Sequence, residues 1–195
     1  VGREFDSHLG LNRATTTMFS VPKIGILVVA YNAEKTLESV FARIPSVFIT
    51  EISAILIADD ASNDSTSSVA QQIKEARPDL PITVIQHQSN LGYGGNQKAG
   101  YSWMIDNDMD IVVLLHGDGQ YAPEYLPKMI EPITNRQADV VFGSRMLSKG
   151  LALKGGMPKY KFVGNKILTF WQNLMSEAKL SEWHSGYRAY STTSL

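Results

Sequence analysis

The sequence predicts an α/β fold in which helices flank a mostly parallel β-sheet. Five short apolar runs rich in β-branched residues alternate with helical patterns, an order typical of βαβ units with right-handed crossovers. The first run, Ile24–Ala30, is apolar at nearly every position, as expected of a strand buried on both faces. With 195 residues, 44% of them apolar, the chain is long enough to bury one sizeable core.

The other four predicted strands are similar runs at residues 52–58, 82–86, 111–115 and 139–143. Helices are predicted at residues 34–43 and 65–76, and Asn63 and Asp64 are candidate N-caps for the second. A last helix is expected over residues 163–178. Its core-facing stripe is expected to be Ile167, Phe170, Trp171 and Leu174.

No repeat or linker divides residues 21–195, so we expect them to form one domain. Residues 1–20 are polar and aperiodic, and we expect a disordered leader there. The Ser/Thr-rich end after Tyr190 stops abruptly, which predicts that the domain is truncated at its C-terminus. Residues 148–161, rich in Gly and Lys, predict a mobile loop.

Composition excludes several classes of protein. The formal net charge of -1 removes the usual electrostatic basis for nucleic-acid binding. The absence of cysteine excludes disulfides and thiolate zinc sites and suits a reducing, cytoplasmic location. No apolar run approaches the roughly 20 residues that a membrane-spanning helix needs.

Polar residues follow four of the predicted strands. They are Tyr31-Asn32, Asp59-Asp60, His116-Gly117-Asp118 and Ser144-Arg145. In parallel sheets, ligands bind outside the carboxyl ends of the strands, so these residues predict a site at that edge. The first strand lacks the glycine-rich turn of dinucleotide-binding proteins, which disfavours a nicotinamide-dependent dehydrogenase.

The stretch around Asp118 is the most informative part of the sequence. A buried strand delivers this carboxylate to its open end between two glycines, which let phosphates approach closely. A carboxylate there can hold a divalent cation that neutralises a diphosphate. His116, two residues earlier, is either a metal or phosphate contact or a packed imidazole.

Three other motifs have open interpretations. Asp60 ends a buried strand and is expected to accept a hydrogen bond from a nucleobase, whereas Asp64 is expected to cap a helix. Residues 92–96, with three glycines, form either a ligand loop or a tight turn before a helix. Residues 182–188 combine an acid, an imidazole and a guanidinium, and belong either to the site or to an amphipathic segment with its aromatic residues in the core.

In this order the motifs resemble the family-2 glycosyltransferases with the Rossmann-like GT-A fold, most closely the polyprenyl-phosphate (dolichol-phosphate) hexosyltransferase branch. The resemblance runs from about Ile24 to Tyr190. Its segments are VAYNAE (29–34), DDASNDST (59–66), NLGYG (90–94), DGQ (118–120), GSR (143–145) and SGYR (185–188). The resemblance implies transfer of a hexosyl group, with inversion, from a UDP- or GDP-sugar to an acceptor, expected to be a polyprenyl (dolichyl) phosphate.

The resemblance also implies roles for single residues. Asp118, with Gln120 beside it, matches the second acid of the family's D-x-D motif, which holds Mn2+ or Mg2+ against the diphosphate. Arg145 matches the arginine that helps to hold the acceptor phosphate, and Glu182 matches an acid near the acceptor that can act as general base. The implied catalytic residues are Asp118, Glu182 and Arg145, and the implied metal ligands are Asp118, His116 and Gln120.

The implied binding residues form two sets. The nucleotide-binding set is Ala30, Tyr31, Asn32, Glu34, Ala58, Asp60, Gly92, His116 and Gly117. The acceptor-binding set is Ser144, Arg145, His184, Ser185 and Arg188.

The sequence departs from the family at two positions. The first D-x-D acid is His116, a softer ligand that favours Mn2+ over Mg2+, and the Glu often found directly after Tyr-Asn is Ala33. One alternative is therefore an inactive nucleotide-sugar-binding module. Another is a nucleotidyltransferase, although that class normally has a glycine-rich basic loop after the first strand.

A run of lysines follows the predicted strands, interleaved with apolar residues. It consists of Lys149, Lys154, Lys159, Lys161 and Lys166. This run predicts contact with anionic lipids at the cytoplasmic face of a membrane, or else a solvated loop over the site.

Overall fold

Six strands form one sheet in the computed structural model, which describes residues 21–144, 146 and 158–195. The strands are β1 (Ile24–Ala30), β2 (Ile52–Asp59), β3 (Ile82–Gln86), β4 (Ile111–His116), β5 (Val140–Phe142) and β6 (Arg188–Ser191). The five predicted strands are confirmed as β1 to β5. The expectations for residues 1–20, for Arg145 and for most of the loop at 148–161 lie outside the described residues.

The sheet has the order β3-β2-β1-β4-β6-β5. Strands β1 to β4 pair in parallel, and β6 runs antiparallel to both β4 and β5. The prediction of a mostly parallel sheet is confirmed. The unpredicted strand β6 has only four residues, with no alternation of apolar and polar side chains that would identify it in the sequence.

Five α-helices accompany the sheet in the described part of the chain. They are α1 (Leu37–Ala42), α2 (Thr66–Ala76), α3 (Gly92–Asp106), α4 (Leu126–Thr134) and α5 (Lys159–Ser176). Helix α4 is additional to the predicted ones, and α3, which begins at Gly92, is the helix that one of the two interpretations of residues 92–96 placed there. None of the helices in the described part of the chain has the length and hydropathy needed to cross a bilayer.

The core lies on both faces of the central strands, and all seven residues of β1 are buried. One face packs against α1, α2 and α4, whereas α3 covers the other face. A Cβ at Gly100 of α3 would lie 2.4 Å from Cδ1 of Leu27 in β1, so glycine lets this helix approach the sheet closely. That approach sets the position of the first turn of α3 beside the carboxyl ends of the strands.

The prediction of a core-facing stripe on α5 is wrong. Ile167, Phe170, Trp171 and Leu174 are all exposed, by 54 to 64%. Polar residues occupy the inward side instead, where the Asn165 amide donates to Glu182 Oε1 at 2.9 Å and the Trp183 indole donates to Asn173 Oδ1 at 2.8 Å. These hydrogen bonds fix the polar side of the helix against the protein and turn its apolar side outward.

The start of α2 differs slightly from the prediction. Its N-cap residue is Ser65, which makes no side-chain cap hydrogen bond. Asp64, one residue earlier, accepts a hydrogen bond from the Thr66 backbone N–H at 3.0 Å through Oδ1 and from the Glu34 backbone N–H at 3.2 Å through Oδ2. Asp64 is therefore not the N-cap residue. Its carboxylate instead joins the start of α2 to the loop after β1.

Candidate active site

A cavity of about 300 Å³ lies at the carboxyl ends of β1, β2 and β4, beside the first turn of α3. Its lining residues are Val29, Ala30, Tyr31, Asp60, Asn90, Gly92, Tyr93, Asn96, His116 and Asp118. Five of the predicted nucleotide-binding residues are among them, together with the predicted metal ligand Asp118. The predicted residues Asn32, Glu34, Ala58 and Gly117 are not part of the lining.

Asp60 is buried directly after β2 and holds two parts of the site together. Its backbone N–H donates to Ala30 O at 2.9 Å, which extends the ladder between β1 and β2. Its Oδ1 accepts a hydrogen bond from the Leu91 backbone N–H at 2.7 Å, and its carbonyl accepts one from the Asn90 amide at 3.1 Å. A carboxylate has about four lone-pair sites, so it retains acceptor capacity for a ligand in the cavity.

The side chains of Asn32 and Glu34 bind backbone N–H groups just before α2. The Asn32 side chain accepts a hydrogen bond from the Asn63 backbone at 3.0 Å, and Glu34 Oε2 accepts one from the Ser65 backbone at 3.1 Å. Burial raises the pKa of Asp64, but hydrogen bonds from Thr66 and from the Glu34 backbone outweigh it and hold this pKa below its usual value. The loop after β1 is thus fastened to the start of α2.

His116, the last residue of β4, lies in an aromatic cluster and lines the cavity. Its Nε2 is 3.0 Å from the Tyr93 hydroxyl, and its ring centroid lies 4.9 Å from that of Tyr121. Gly186 covers the ring so closely that a Cβ there would lie 2.6 Å from Cε1 and Nε2. The imidazole is thus packed and also faces the cavity, and its role as a metal or phosphate contact stays a prediction.

Asp118 is exposed at the cavity, two residues after β4. Its Oδ1 accepts a hydrogen bond from the Gln120 backbone N–H at 3.0 Å, across Gly119 with its φ of +71°. Within the described ranges, no group of three or more His, Cys, Asp and Glu residues could hold a metal ion. A single carboxylate fits a cation that takes most of its oxygen ligands from a bound diphosphate, as Mg2+ commonly does. Gln120 contributes its backbone to this turn and does not line the cavity.

The predicted acceptor residues that the structure describes lie next to β5 and β6. Ser144 Oγ is 3.5 Å from Glu182 Oε2, and Glu182 is only 1% exposed. Ser185, also buried, donates its hydroxyl to the Gly143 carbonyl. Arg188 donates to Ser185 O at 2.8 Å, and its guanidinium lies 5.2 Å from the Phe142 ring centroid. His184, the other described residue of this set, is exposed.

Four residues without a predicted role also line the cavity, namely Val29, Asn90, Tyr93 and Asn96. The Asn96 amide donates to Ala58 O at 2.9 Å, so Ala58 contributes a carbonyl that anchors α3. The sequence signal for this region was the NLGYG segment, which carried part of the resemblance without indicating what each residue does.

A mostly parallel α/β sheet with a cavity at the carboxyl ends of its strands has the arrangement in which open α/β folds bind their ligands. The family model described as glycosyl transferase family 2 matches residues 25–185, and the chain belongs to this family. The predicted family and enzyme class are thereby confirmed.

Two curated relatives carry names that specify a lipid phosphate. The chain is 30% identical to a UDP-N-acetylglucosamine--dolichyl-phosphate N-acetylglucosaminyltransferase of Methanococcus voltae, over 88% of this chain and 70% of the relative. It is 31% identical to an undecaprenyl-phosphate mannosyltransferase of Micrococcus luteus, over 73% of this chain and 56% of the relative. The matched part thus spans between 56 and 70% of the length of these relatives.

Solved structures show the same fold. Glucosyl-3-phosphoglycerate synthase from Mycobacterium tuberculosis, in complex with Mn2+, UDP and glucosyl-3-phosphoglycerate, superposes with a TM-score of 0.62 at 18% identity. The match covers 88% of this chain and 57% of that one. At this identity the likeness concerns the fold, and the predicted GT-A fold is confirmed.

Proposed function

We propose that this domain transfers a hexosyl group, with inversion, from a nucleoside diphosphate sugar to a polyprenyl phosphate. The observation that carries the proposal is the cavity, which brings Asp60 and Asp118 to one edge of the sheet. The names of the Methanococcus and Micrococcus relatives, which act on dolichyl phosphate and undecaprenyl phosphate, support the choice of acceptor.

The donor is proposed to lie along the cavity with its base near Asp60 and Tyr31. The Asp60 carboxylate fits a base that presents an imino N–H, a group shared by uracil and guanine, so both UDP- and GDP-sugars suit the site. Tyr31 is half exposed at the same end, where its ring can stack on the base. The diphosphate would then reach the end of β4.

Asp118 is proposed to hold Mn2+ or Mg2+ together with the diphosphate. When bound, the cation neutralises the charge of the nucleoside diphosphate leaving group. His116 would contact the diphosphate or its cation from the same edge, steadied by the Tyr93 hydroxyl and the Tyr121 ring. Gln120 is proposed to support the turn that presents Asp118.

The acceptor is proposed to approach from the side of β5 and β6. A phosphate oxygen, already anionic near neutral pH, attacks the anomeric carbon while the bond to the nucleoside diphosphate breaks, so no strong base is required. Arg145, which directly follows Ser144, is proposed to grip this phosphate with its planar guanidinium. Arg188, Ser185 and His184 are proposed to shape the same side.

Glu182 is proposed to act mainly by positioning. Its near-complete burial and its hydrogen bond with Asn165 support a role in holding α5 beside Ser144. A general-base role for this carboxylate stays a prediction, as does a cytoplasmic location for the domain.

The test is a transfer assay with UDP- and GDP-hexoses, Mn2+ and a short-chain polyprenyl phosphate. We expect transfer by the wild type, loss of at least about 100-fold in Asp118→Asn, as for other groups that stabilise developing charge, and normal activity in Asp106→Asn. Asp106 is a matched control because it is an exposed acid at the end of α3, outside the cavity lining. Nucleotide binding without transfer would favour the inactive module, and release of pyrophosphate from a nucleoside triphosphate would favour a nucleotidyltransferase.

A further inference from the structure

The outward side of α5 is an exposed apolar surface, which we call the α5 face. Exposed fractions run from 52% for Leu168 to 84% for Met175. Its members are Tyr160, Val163, Ile167, Leu168, Phe170, Trp171, Leu174 and Met175. At 100° per residue they fall within an arc of about 160°, so they form one continuous surface. Contiguous apolar patches of this kind mark sites that meet another apolar body.

The opposite side of the helix is held in place by hydrogen bonds. Asn165 binds the buried Glu182, Thr169 donates to Asn165 Oδ1 at 3.2 Å, and Asn173 bonds with the Leu180 backbone and the Trp183 indole. If α5 rolled to bury its apolar side, Glu182 would lose the Asn165 amide while remaining inside the protein, at a high cost. These inward hydrogen bonds therefore keep the apolar side of α5 facing outward.

The charges around the α5 face indicate what covers it. The helix contains three lysines and no acidic residue. On the same helical projection, Lys161 lies at one border of the apolar arc, and Lys159 and Lys166 lie at the other. An apolar stripe bordered by lysines on both sides is the pattern of helices that lie in a lipid interface, where long cationic side chains reach back to the head groups. Two copies placed face to face would instead bring their lysines together.

We propose that α5 lies parallel to the surface of an anionic lipid membrane and docks the domain there through the α5 face. This inference deepens the proposed function and rests on it for the identity of the acceptor. Asn165 joins α5 to Glu182, which in turn lies beside Ser144 at the end of β5. Docking through α5 would therefore present the acceptor side of the site to the lipid surface.

Vesicle binding without donor or acceptor tests the docking separately from the chemistry. We expect the full chain to sediment with vesicles of phosphatidylcholine and phosphatidylglycerol, and to bind less as salt increases. The double variant Phe170→Glu/Trp171→Glu should bind at least about tenfold more weakly, since each side chain contributes a large apolar area. The control is Val47→Glu, which replaces an apolar residue that is 81% exposed and lies far from α5 in the sequence.

A second measurement locates the contact. Trp171 is one of three tryptophans, so brominated lipids should quench part of the fluorescence of the wild type and distinctly less in Trp171→Phe. Circular dichroism checks that each variant is folded. Equal vesicle binding by the double variant, or no binding by the wild type, would overturn the proposal. A concentration-dependent dimer that the double variant abolishes would overturn it too, by assigning the α5 face to a second copy.

The docking and the proposed transfer fail in different ways. If the transfer proposal alone is wrong, vesicle binding persists and no hexosyl group reaches the polyprenyl phosphate. If docking alone is wrong, the double variant and the wild type transfer equally well to a long-chain acceptor embedded in vesicles. With both correct, the double variant keeps its activity on a short-chain, dispersed acceptor and loses it on the embedded one.

Discussion

Asp60, His116 and Asp118 lie within one cavity because each stands at or just beyond the carboxyl end of a buried strand, and these strands run parallel to one another. In register, Val29 of β1 is opposite His116 of β4, and Ala30 is opposite Asp59 of β2. These positions were predictable, since the carboxyl ends of parallel strands share an edge. Tyr93 and Asn96 were not given roles, because their place over the cavity depends on how α3 packs at Gly100, which no local pattern indicates.

The role of Asp60 leads to the first prediction. In Asp60→Asn, the side-chain carbonyl can still accept from Leu91, but an amide donor replaces one carboxylate oxygen. We expect nucleotide binding to weaken by about 1–3 kcal/mol, as for a lost hydrogen bond to a charged group, with little change in folding. Isothermal titration with UDP and GDP measures this effect. The control is Asp64→Asn, because Asp64 joins α2 to the loop after β1 and does not line the cavity. Equal nucleotide affinities for the two variants would contradict the prediction.

At the scale of elements, α5 shows where a sequence pattern reaches its limit. Helical periodicity correctly grouped Ile167, Phe170, Trp171 and Leu174 on one face. It could not determine which face is turned inward, because that depends on buried partners such as Glu182, which lies in another segment of the chain. The central strands were easier, since a strand that is apolar throughout has no face to choose.

The orientation of α5 can be tested by stability. Asn165→Leu removes the amide donor from the buried Glu182, and we expect the free energy of unfolding to fall by about 1–3 kcal/mol. Ile167→Gln alters the outward side and should change it by less than about 0.5 kcal/mol. Urea unfolding of both variants measures the difference. If the inward stripe predicted by the sequence were correct, the order of the two effects would be reversed.

The hydrogen bonds of Asp64, which join α2 to the loop after β1, predict that the stability of the protein depends on pH. Because the pKa of Asp64 is depressed below its ordinary value of 3.8, its stabilising effect is present above that pH and is lost as the pH falls through the lower, folded pKa. Asp64→Asn should therefore lower the melting temperature at pH 7, and the difference from wild type should shrink below about pH 4. Thermal unfolding across this range checks it, with Glu75→Gln, an exposed acid on α2, as control.

For the molecule as a whole, strand β6 explains how distant segments converge. It inserts antiparallel between β4 and β5, and this brings the SGYR segment over His116, where only glycine fits at position 186. The same segment also binds the residue after β5, since the Gly143 N–H donates to Tyr187 O at 2.8 Å. The sequence predicted β1 to β5 but not β6. The order in which β4, β6 and β5 lie is set by pairing across more than 40 residues of chain, which local patterns do not encode.

The whole-molecule prediction is that nucleotide and metal stabilise the fold jointly. A ligand that binds only the native state at 100 times its dissociation constant adds about 2.7 kcal/mol. For a chain of this size, that raises the melting temperature by roughly 5–10 °C. We expect such a shift with UDP or GDP plus Mn2+, a much smaller one with the nucleotide and EDTA, and no metal-dependent part in Asp118→Asn, whereas Asp106→Asn behaves as wild type. Asp118 would have no part in binding the cation if the shift were equal in Mn2+ and EDTA, or if Asp118→Asn kept the full metal-dependent increase.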